Sequence, residues 1–381
     1  MISGTLVNHQ EIYNAFSKIG KAFPNKKIIE HDKNNVFDVN LWKHFSKHKI
    51  TGLLVNEKQG GKNFSCLKTS IAYQGLASSC ENNGLIFSAA AHLLAGLGPV
   101  YFHGSDTQKQ NYISKLASGK FIICNAITEK NAGSDVFNMN STATKKGDKY
   151  ILNGEKIYVT NSPIADLFLV YVLTDKTKGF FGGVSCFLIK KGTKGLSVSP
   201  IKEKMGLRTA QMATVKLKNV EANKHDLLGK EGAGAQIFMQ SMQWERVGMS
   251  AFLCGQLSRV LNNTIAFCKN RKVGDKKLFE MQHIQHLLAD AKTILNASQN
   301  LVYDAAVAID NKSKDSITKS SMAKLFVSEN TVNTLKNLQT IYGAAGFLSE
   351  NSIEREYRDA YASLVYSGTS AIQKNIIALS L

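Results

Sequence analysis

The sequence predicts an α+β protein built from an N-terminal helical domain, a middle β-barrel or sandwich domain and a C-terminal four-helix bundle. Two changes of hydrophobic periodicity lead to this prediction. Apolar residues recur at helical spacing over residues 1–124, alternate as in strands over 125–230, and return to long helical patterns over 231–381. We take these ranges as the three domains. Because βαβ units are absent from the pattern, it argues against a doubly wound nucleotide-binding sheet.

The first domain shows helical spacing around residues 41–45 and 71–77. Residues 86–97 suit a buried helix whose small side chains permit close backbone approach. His92 lies in this helix, and no second ligand follows at metal spacing. We therefore predict a hydrogen-bonded core histidine rather than a metal ligand, and no metal site.

The middle domain contains alternating segments at 167–173, 184–189 and 213–220, separated by glycine or charged turns. These segments predict strands. Gly147-Asp148 lies between β-forming residues and predicts a hairpin. The hairpin should bring the strands that carry Thr128 and Thr160 into one sheet.

The last domain contains four long helical patterns with few helix breakers, which favours a bundle. They cover residues 236–269, 280–310, 317–342 and 354–378, with a break near Ser367-Gly368 in the last.

Composition narrows the functional classes. No apolar run of 18 residues and no secretory signal are evident, so we expect neither membrane insertion nor export. Six scattered cysteines without CxxC pairs predict buried thiols in a cytoplasmic protein. The net charge of +18 favours an acidic partner, with a lysine-rich proteome as an equally weighted explanation. Nucleic acid is not expected, because the lysines are dispersed.

Two segments, 126–135 and 152–161, are the strongest candidates for a site. The first ends in the small-residue turn 132–135, where Gly133 and Ser134 could offer N–H and hydroxyl groups to a phosphate or a heteroaromatic ring. On the pattern alone, an ordinary β-hairpin is the simpler interpretation.

Together the two segments resemble the flavin-contacting strands of the acyl-CoA dehydrogenase family. Further stretches resemble the family's signatures, in the same order, along nearly the whole chain: residues 56–61, 104–119, 205–208 and 227–232. The resemblance implies bound FAD. It implies flavin contacts from Asn125, Ile127, Thr128, Tyr158, Val159 and Thr160, with Ser134 and Thr369 also at the cofactor. Tyr158 stands where the family usually has tryptophan, and it still supplies an aromatic wall.

A second group of residues resembles positions that reach the FAD of a neighbouring subunit, which implies a homodimer or homotetramer. Arg271 matches an arginine that contacts the phosphates, although a plain surface charge is the alternative. The sequence departs from the family at Gly274-Asp275, where Phe-Gly is usual. The other members are Gln282, Thr340, Gly343 and Ala344, with Gln339 as a possible substitute for Thr340.

Most relatives carry a catalytic glutamate where this chain has Ser367, and a hydroxyl has no useful basic form near neutral pH. The chain instead has Glu245-Arg246, as in isovaleryl-CoA, long-chain acyl-CoA and prolyl-carrier-protein dehydrogenases. The resemblance assigns Glu245 as general base and Ser367 as a residue that leaves space. A surface ion pair is the alternative for Glu245 and Arg246. The expected substrate-binding residues are Ser134, Gln243, Arg246, Ser367 and Gly368.

The implied reaction removes the proton α to a thioester carbonyl while hydride leaves the adjacent atom for flavin N5. Hydrogen bonds to the carbonyl oxygen, from the flavin ribityl chain and a backbone N–H near Ser367, would stabilise the enolate-like charge. The thioester could be an acyl or aminoacyl group on coenzyme A or on an acidic carrier protein. We favour the carrier protein, from the resemblance to biosynthetic members of the family together with the basic charge. An electron-transfer flavoprotein or oxygen would take the electrons.

Three alternatives stay open at this stage. They are a flavin oxidase or monooxygenase on the same scaffold, a catabolic fatty or branched-chain acyl-CoA dehydrogenase, and a degenerate, non-catalytic family member.

Overall fold

A computed structural model of the chain describes residues 2–22 and 27–381. Its N-terminal part is helical, as predicted. Several of the helices begin at side chains that accept backbone N–H groups. For example, Asp38 accepts from Asn40 and Leu41, and Ser105 forms a capping box with Gln108. The helices are α1 (Ile2–Lys21), α2 (Ile28–Lys33), α3 (Val39–Lys47), α4 (Cys66–Ala77), α5 (Asn83–Ala90), α6 (Gly98–His103) and α7 (Asp106–Ala117).

Helices α5 and α6 are joined by a π-helical stretch, Ala91–Leu97, into one buried rod. Gly96 lies so close to β-strand residue Ile123 that an added Cβ would fall 2.4 Å from the Ile123 side chain. His92 is confirmed as a core histidine, since Nε2 donates to the Leu116 carbonyl at 3.0 Å and Nδ1 accepts from the Ile123 N–H at 3.2 Å. Burial lowers the pKa of His92 to about 4, so the ring is neutral.

Among the described residues, one helical run, Asn83–His103, is long enough and apolar enough to cross a membrane. However, 83% of its most apolar 18-residue stretch is buried inside the protein. It is therefore the core helix of the N-terminal part. All six cysteines are buried free thiols, as predicted.

The middle part is one eight-stranded sheet with the order β6-β7-β3-β2-β4-β5-β8, and β1 pairs in parallel with β4. A four-residue helix, α8 (Phe180–Gly183), connects β4 to β5. The strands are β1 (Ile123–Ala126), β2 (Thr142–Lys146), β3 (Lys149–Thr160), β4 (Leu167–Leu173), β5 (Val184–Lys190), β6 (Leu196–Val198), β7 (Met212–Asn223) and β8 (Leu227–Leu228).

Strand β4 is buried on both faces. Its residues alternate between two hydrophobic cores: Leu169 and Tyr171 face the helices, whereas Phe168 and Val170 face a second core formed by the sheet itself. This explains why β4 is apolar throughout rather than alternately polar. The predicted β domain is confirmed as a sheet with a core of its own.

The predicted hairpin is present, with Gly147-Asp148 between β2 and β3 and Gly147 at φ +59°. β3 then continues to Thr160 along β7. Just beyond β1, the Thr128 carbonyl accepts the Ile157 N–H at 2.8 Å. The two candidate segments are therefore neighbours, as expected.

The C-terminal part consists of three long helices and two short ones. The predicted fourth helix is interrupted from residue 362 to 369, where Ser367 and Gly368 both have left-handed backbone angles. The elements are α9 (Gly234–Asn270), the small hairpin β9 (Lys272–Val273) and β10 (Lys276–Lys277), α10 (Gln282–Asp310), α11 (Ser316–Ile341), α12 (Ser352–Tyr361) and α13 (Ser370–Ala378).

A buried ion pair holds α12 against the N-terminal helices. Arg259 on α9 contacts Glu356 on α12 at 2.9 Å, and the Asn83 amide donates to the same carboxylate at 2.8 Å. Nearby, Asp359 accepts the Leu207 N–H at 2.5 Å and so ties the β-sheet part to α12. These contacts fix the C-terminal segment that follows α12.

Candidate active site

Glu245 lies in the fourth turn of α9 with its carboxylate buried, and only 8% of the residue is exposed. Ser367 Oγ donates to Glu245 Oε1 at 2.6 Å. Burial raises the pKa of Glu245, although the Ser367 hydrogen bond and the Arg246 charge oppose the rise. The serine and the glutamate thus meet from two different helical segments, and the carboxylate is a stronger base than one in water.

The turn that carries Ser367 is held from behind by α13. Gln373 Nε2 donates to the carbonyl oxygens of Ser367 at 3.1 Å and Gly368 at 2.9 Å. Thr369 begins α13 by accepting the Ile372 N–H at 3.3 Å. Ser367 has φ +54°, a conformation uncommon outside glycine, so the turn stays in place only because its surroundings fix it.

Arg246 is also buried, which excludes the surface ion pair considered above. Its Nε donates to the Ser367 carbonyl at 3.4 Å, and its Nη1 donates to Ser321 Oγ at 3.3 Å. Burial lowers the pKa of Arg246 to about 10, opposed by the Glu245 charge, so the guanidinium stays charged at neutral pH.

Lys324 on α11 is a residue that the sequence analysis missed. It is 1% exposed, and its Nζ has no hydrogen-bond partner among the described residues. Burial, and to a smaller extent the positive charge of Arg246, lowers the pKa of Lys324 to about 8. The available signal was a lysine within a run of small and apolar residues on a long helix, three positions after Ser321.

A narrow crevice, lined by Trp244 but not by Glu245, lies between α6 and α9. The ring centroids of Phe102 and Trp244 are 5.7 Å apart, and His103 Nε2 lies 2.8 Å from Gln240 Oε1. The crevice has no room for a water molecule in this side-chain arrangement. Gln243, expected at the substrate, instead accepts a hydrogen bond from Ser316 Oγ at 3.0 Å.

The predicted flavin residues lie around the ends of β1 and β3. Asn125 Oδ1 is buried and has no partner among the described residues, whereas Ile127 and Val159 belong to the two cores. Tyr158 has φ +57° at a bulge between β3 and β7 and is 60% exposed. The bulge turns the ring out of the sheet.

Helix α5 connects this strand end to the catalytic turn. Ser88 Oγ donates to Asn161 Oδ1, and Asn161 Nδ2 donates back to the Ser88 carbonyl at 3.0 Å. The adjacent Phe87 packs against Tyr366 at 5.0 Å. Asn161 follows Thr160 and Tyr366 precedes Ser367, so α5 links the end of β3 to the turn that contacts Glu245.

The second group of predicted cofactor residues lies at the other end of the bundle. The rings of Phe267 and Tyr342 stack with their centroids 4.3 Å apart, and this contact holds the ends of α9 and α11 together. At 1.5 Å per residue, Arg271 is about 39 Å from Glu245 along the helix. The group, which is exposed, consists of Arg271, Gln282, Thr340, Gly343 and Ala344. The Gln339 side chain already forms a hydrogen bond within this chain, since its Nε2 donates to the Gly346 carbonyl oxygen at 2.8 Å.

The two remaining predicted contacts, Ser134 and Thr369, lie outside this second group. Ser134 is exposed in the turn after Thr128. Thr369 borders a cavity of about 360 Å³ between α11 and α13. Ser370, which also lines this cavity, has a buried Oγ without a partner among the described residues.

Three family models match this chain in succession. They are the acyl-CoA dehydrogenase N-terminal domain over residues 8–120, the middle domain over 124–220 and the C-terminal domain over 232–381. The chain belongs to the acyl-CoA dehydrogenase family.

Three proteins resemble this chain over more than nine-tenths of its length. An L-prolyl-[peptidyl-carrier protein] dehydrogenase of Serratia sp. (strain ATCC 39006) is 36% identical over 91% of this chain and 89% of its own length. The crystal structure of the prolyl acyl carrier protein oxidase AnaB has a TM-score of 0.94 and 36% identity, covering 98% of both chains. The FAD complex of PigA has a TM-score of 0.94 and 33% identity, covering 98% of this chain and 97% of PigA.

This acyl-CoA dehydrogenase family member is an FAD-dependent enzyme that oxidises a substrate carried as a thioester. Its own residues fit the cofactor. An unpartnered buried amide oxygen at Asn125 and an exposed aromatic ring at Tyr158 suit a polar heteroaromatic ring system. FAD would be held by Asn125, Thr128, Ser134, Tyr158, Thr160 and Thr369.

Proposed function

We propose that the enzyme oxidises the α,β bond of an aminoacyl thioester of the prolyl class on a carrier protein, with Glu245 as the general base. The observation that supports this most directly is the buried Glu245–Ser367 pair, which puts the carboxylate on α9 rather than on the turn before α13. The prolyl-carrier-protein enzymes among the relatives support the choice of substrate.

The reaction is a two-electron oxidation. The Glu245 carboxylate takes the α-proton, the β-carbon loses a hydride, and a carbon–carbon double bond forms beside the thioester carbonyl. Bound FAD supplies the hydride acceptor. A backbone N–H of the 367–369 turn donates to the carbonyl oxygen, and its fixed position means that no reorganisation is needed as negative charge develops.

Burial of Glu245 serves this chemistry because it destabilises the charged carboxylate relative to the protonated form. The Ser367 hydroxyl and the Arg246 charge lower the pKa of Glu245 and so oppose part of the effect of burial.

The active unit in this proposal is at least a dimer, because one chain cannot bring Arg271 and Glu245 to a single cofactor across about 39 Å of helix. A second copy can supply Arg271, Gln282 and the 340–344 segment. The protein in this proposal is cytoplasmic, which its six buried thiols support.

We expect Ser367→Ala to move the acidic limb of the pH–rate profile to higher pH. The variant loses a hydrogen bond that favours the ionised carboxylate, so the pKa of Glu245 rises further and less base is present at low pH. On that limb, flavin reduction should be about tenfold slower, because a hydrogen bond to a charged group is worth at least ~1.4 kcal/mol.

Stopped-flow flavin reduction between pH 5 and 9 measures this shift. Ser313→Ala is the matched control, because it removes a half-buried serine that donates a hydrogen bond to another carboxylate, Asp315. An unshifted limb in Ser367→Ala would contradict the proposed role of this hydrogen bond.

The substrate is tested by anaerobic bleaching of the flavin with L-prolyl, straight-chain acyl and branched acyl thioesters, each on a carrier protein and on coenzyme A. We expect the prolyl carrier thioester to bleach the flavin fastest. Faster bleaching by simple acyl-CoA esters would replace the proposal with a catabolic acyl-CoA dehydrogenase.

Oxygen is the acceptor to test first, because AnaB is described as an oxidase. Oxygen consumption at the rate of substrate oxidation would identify an oxidase. Turnover that requires an added electron-transfer flavoprotein would identify a dehydrogenase.

A further inference from the structure

We propose that the loop 175–183, together with neighbouring lysines, is the surface on which an acidic carrier protein docks. This inference rests on the proposed function and adds the place where the protein partner binds. We call residues 175–183 the docking loop.

The docking loop has a defined conformation. Asp175 accepts hydrogen bonds from the Thr177 N–H at 3.0 Å and the Thr177 hydroxyl at 2.6 Å. The Gly183 N–H donates to the Gly179 carbonyl at 2.8 Å, and a Cβ on Gly183 would lie 2.0 Å from the Asp175 carbonyl oxygen. A loop fixed in this way loses little conformational entropy when a partner binds.

The tip of the docking loop presents an aromatic side chain. Phe181 is 68% exposed, although its neighbour Phe180 is buried. A large aromatic residue exposed on a fixed loop is the type of side chain that dominates protein interfaces, because its burial by a partner removes much apolar surface from water.

A row of aromatic rings leads from this tip toward the catalytic helix. The distance between ring centroids is 5.6 Å for Phe181 and Phe180, and 6.4 Å for Phe180 and Phe238. The Phe238 and Tyr171 centroids are 6.0 Å apart. Phe238 precedes Glu245 by about two turns on the same face of α9, or about 10 Å along its axis. A partner seated on the loop would therefore contact the segment of α9 that begins about two turns before the Glu245 carboxylate.

The surroundings of the loop are basic. Lys176 and Lys178 belong to it, and β2 runs parallel to β4 from the Thr142–Leu173 pair, which brings Lys145 and Lys146 alongside. Lys230 is close on the other side, where Gly232 packs on Gly182.

Few acidic side chains offset these five exposed lysines. Asp175 pairs with Lys178 at 3.1 Å, and Glu231 accepts a hydrogen bond from the Tyr150 hydroxyl at 2.6 Å. A second copy of a chain with a net charge of +18 would be repelled by this face, whereas an acidic carrier protein would be attracted and steered to it.

The test compares two substrates of the FAD-loaded enzyme: an L-prolyl thioester on an acidic carrier protein, and the same acyl group on N-acetylcysteamine. We expect the ratio of their kcat/KM values to fall at least about tenfold in Lys176→Glu/Lys178→Glu and, independently, in Phe181→Ser. The dependence of the carrier reaction on salt should weaken in the lysine variant.

Lys43→Glu/Lys336→Glu changes the net charge equally on exposed helical positions elsewhere and is the control for the lysine variant. A ratio within twofold of the parent in both loop variants overturns the docking surface. Equal losses on both substrates would also overturn it, since the loop would then serve the small thioester. If the unaltered enzyme oxidises only coenzyme A esters and does not bind the carrier, the proposed function has failed, and the docking surface fails with it.

Discussion

Replacing Glu245 with glutamine is expected to give yellow, FAD-loaded protein whose flavin is reduced by substrate about 10³-fold or more slowly. Glutamine keeps the size of the side chain and can still accept the Ser367 hydroxyl hydrogen bond, but its amide cannot take the α-proton. Cofactor binding should persist, because the predicted flavin contacts lie on the β-sheet side of the site. Single-turnover stopped-flow absorbance measures the loss directly.

Glu155→Gln is the matched control. It makes the same chemical change on the exposed face of β3, where Glu155 pairs only with Lys216 at 3.5 Å. The control should reduce at the parental rate. Flavin reduction in Glu245→Gln within tenfold of the parent would show that another group removes the proton.

Replacing Lys156 with methionine is expected to destabilise the protein by about 3–5 kcal/mol and to weaken FAD binding. Lys156 Nζ is fully buried and lies 2.6 Å from Glu129 Oε1 and 3.1 Å from the Ile127 carbonyl oxygen. Glu129 in turn accepts the Asn140 and Ser141 N–H groups at 2.6 and 3.0 Å.

The electrostatics of Glu129 explain the size of this effect. Burial raises the pKa of Glu129, but the Lys156 charge and the hydrogen bonds outweigh it and leave that pKa below its ordinary value. Without Lys156, a buried carboxylate has no compensating charge. The distortion should reach Ile127 and Thr128, which stand immediately before Glu129 on the flavin side.

Thermal unfolding of the apo and FAD-loaded forms, together with FAD titration, tests this prediction. Lys216→Met removes an exposed ion pair on the neighbouring strand and should cost less than about 1 kcal/mol. The double variant Lys156→Met/Glu129→Gln should recover part of the stability, because the uncompensated charge is removed. A Lys156→Met protein as stable as the parent would contradict the proposed role of the pair.

Much of the fold could be predicted because it follows from local periodicity. The run of β-forming residues over 167–173 and the Gly147-Asp148 turn predicted a strand and a hairpin that the structure contains. The break at Ser367-Gly368 was also evident, since glycine tolerates a left-handed backbone. The resemblance to a flavoenzyme family added the cofactor, which periodicity could not supply.

The surroundings of Glu245 could not be predicted in the same way. The sequence marked Glu245 and Ser367 as candidates, but their 2.6 Å hydrogen bond joins residues 122 positions apart. Lys324 was missed because a lysine in a helix is usually solvated, and only the packing of α11 against α9 buries it. The Gln243 amide, expected at substrate, is turned to Ser316 by the same packing.

The sequence by itself determined the order of helical and β segments, the kind of cofactor and the identity of the candidate base, because these depend on residue type and on spacing along the chain. Only the tertiary structure decided that Glu245 and Arg246 are buried together, that Phe181 stands exposed at the end of an aromatic row, and that Arg271, one of the second group of predicted cofactor residues, lies about 39 Å from Glu245 along α9. Burial and distance arise from contacts between remote segments, which spacing along a chain does not record.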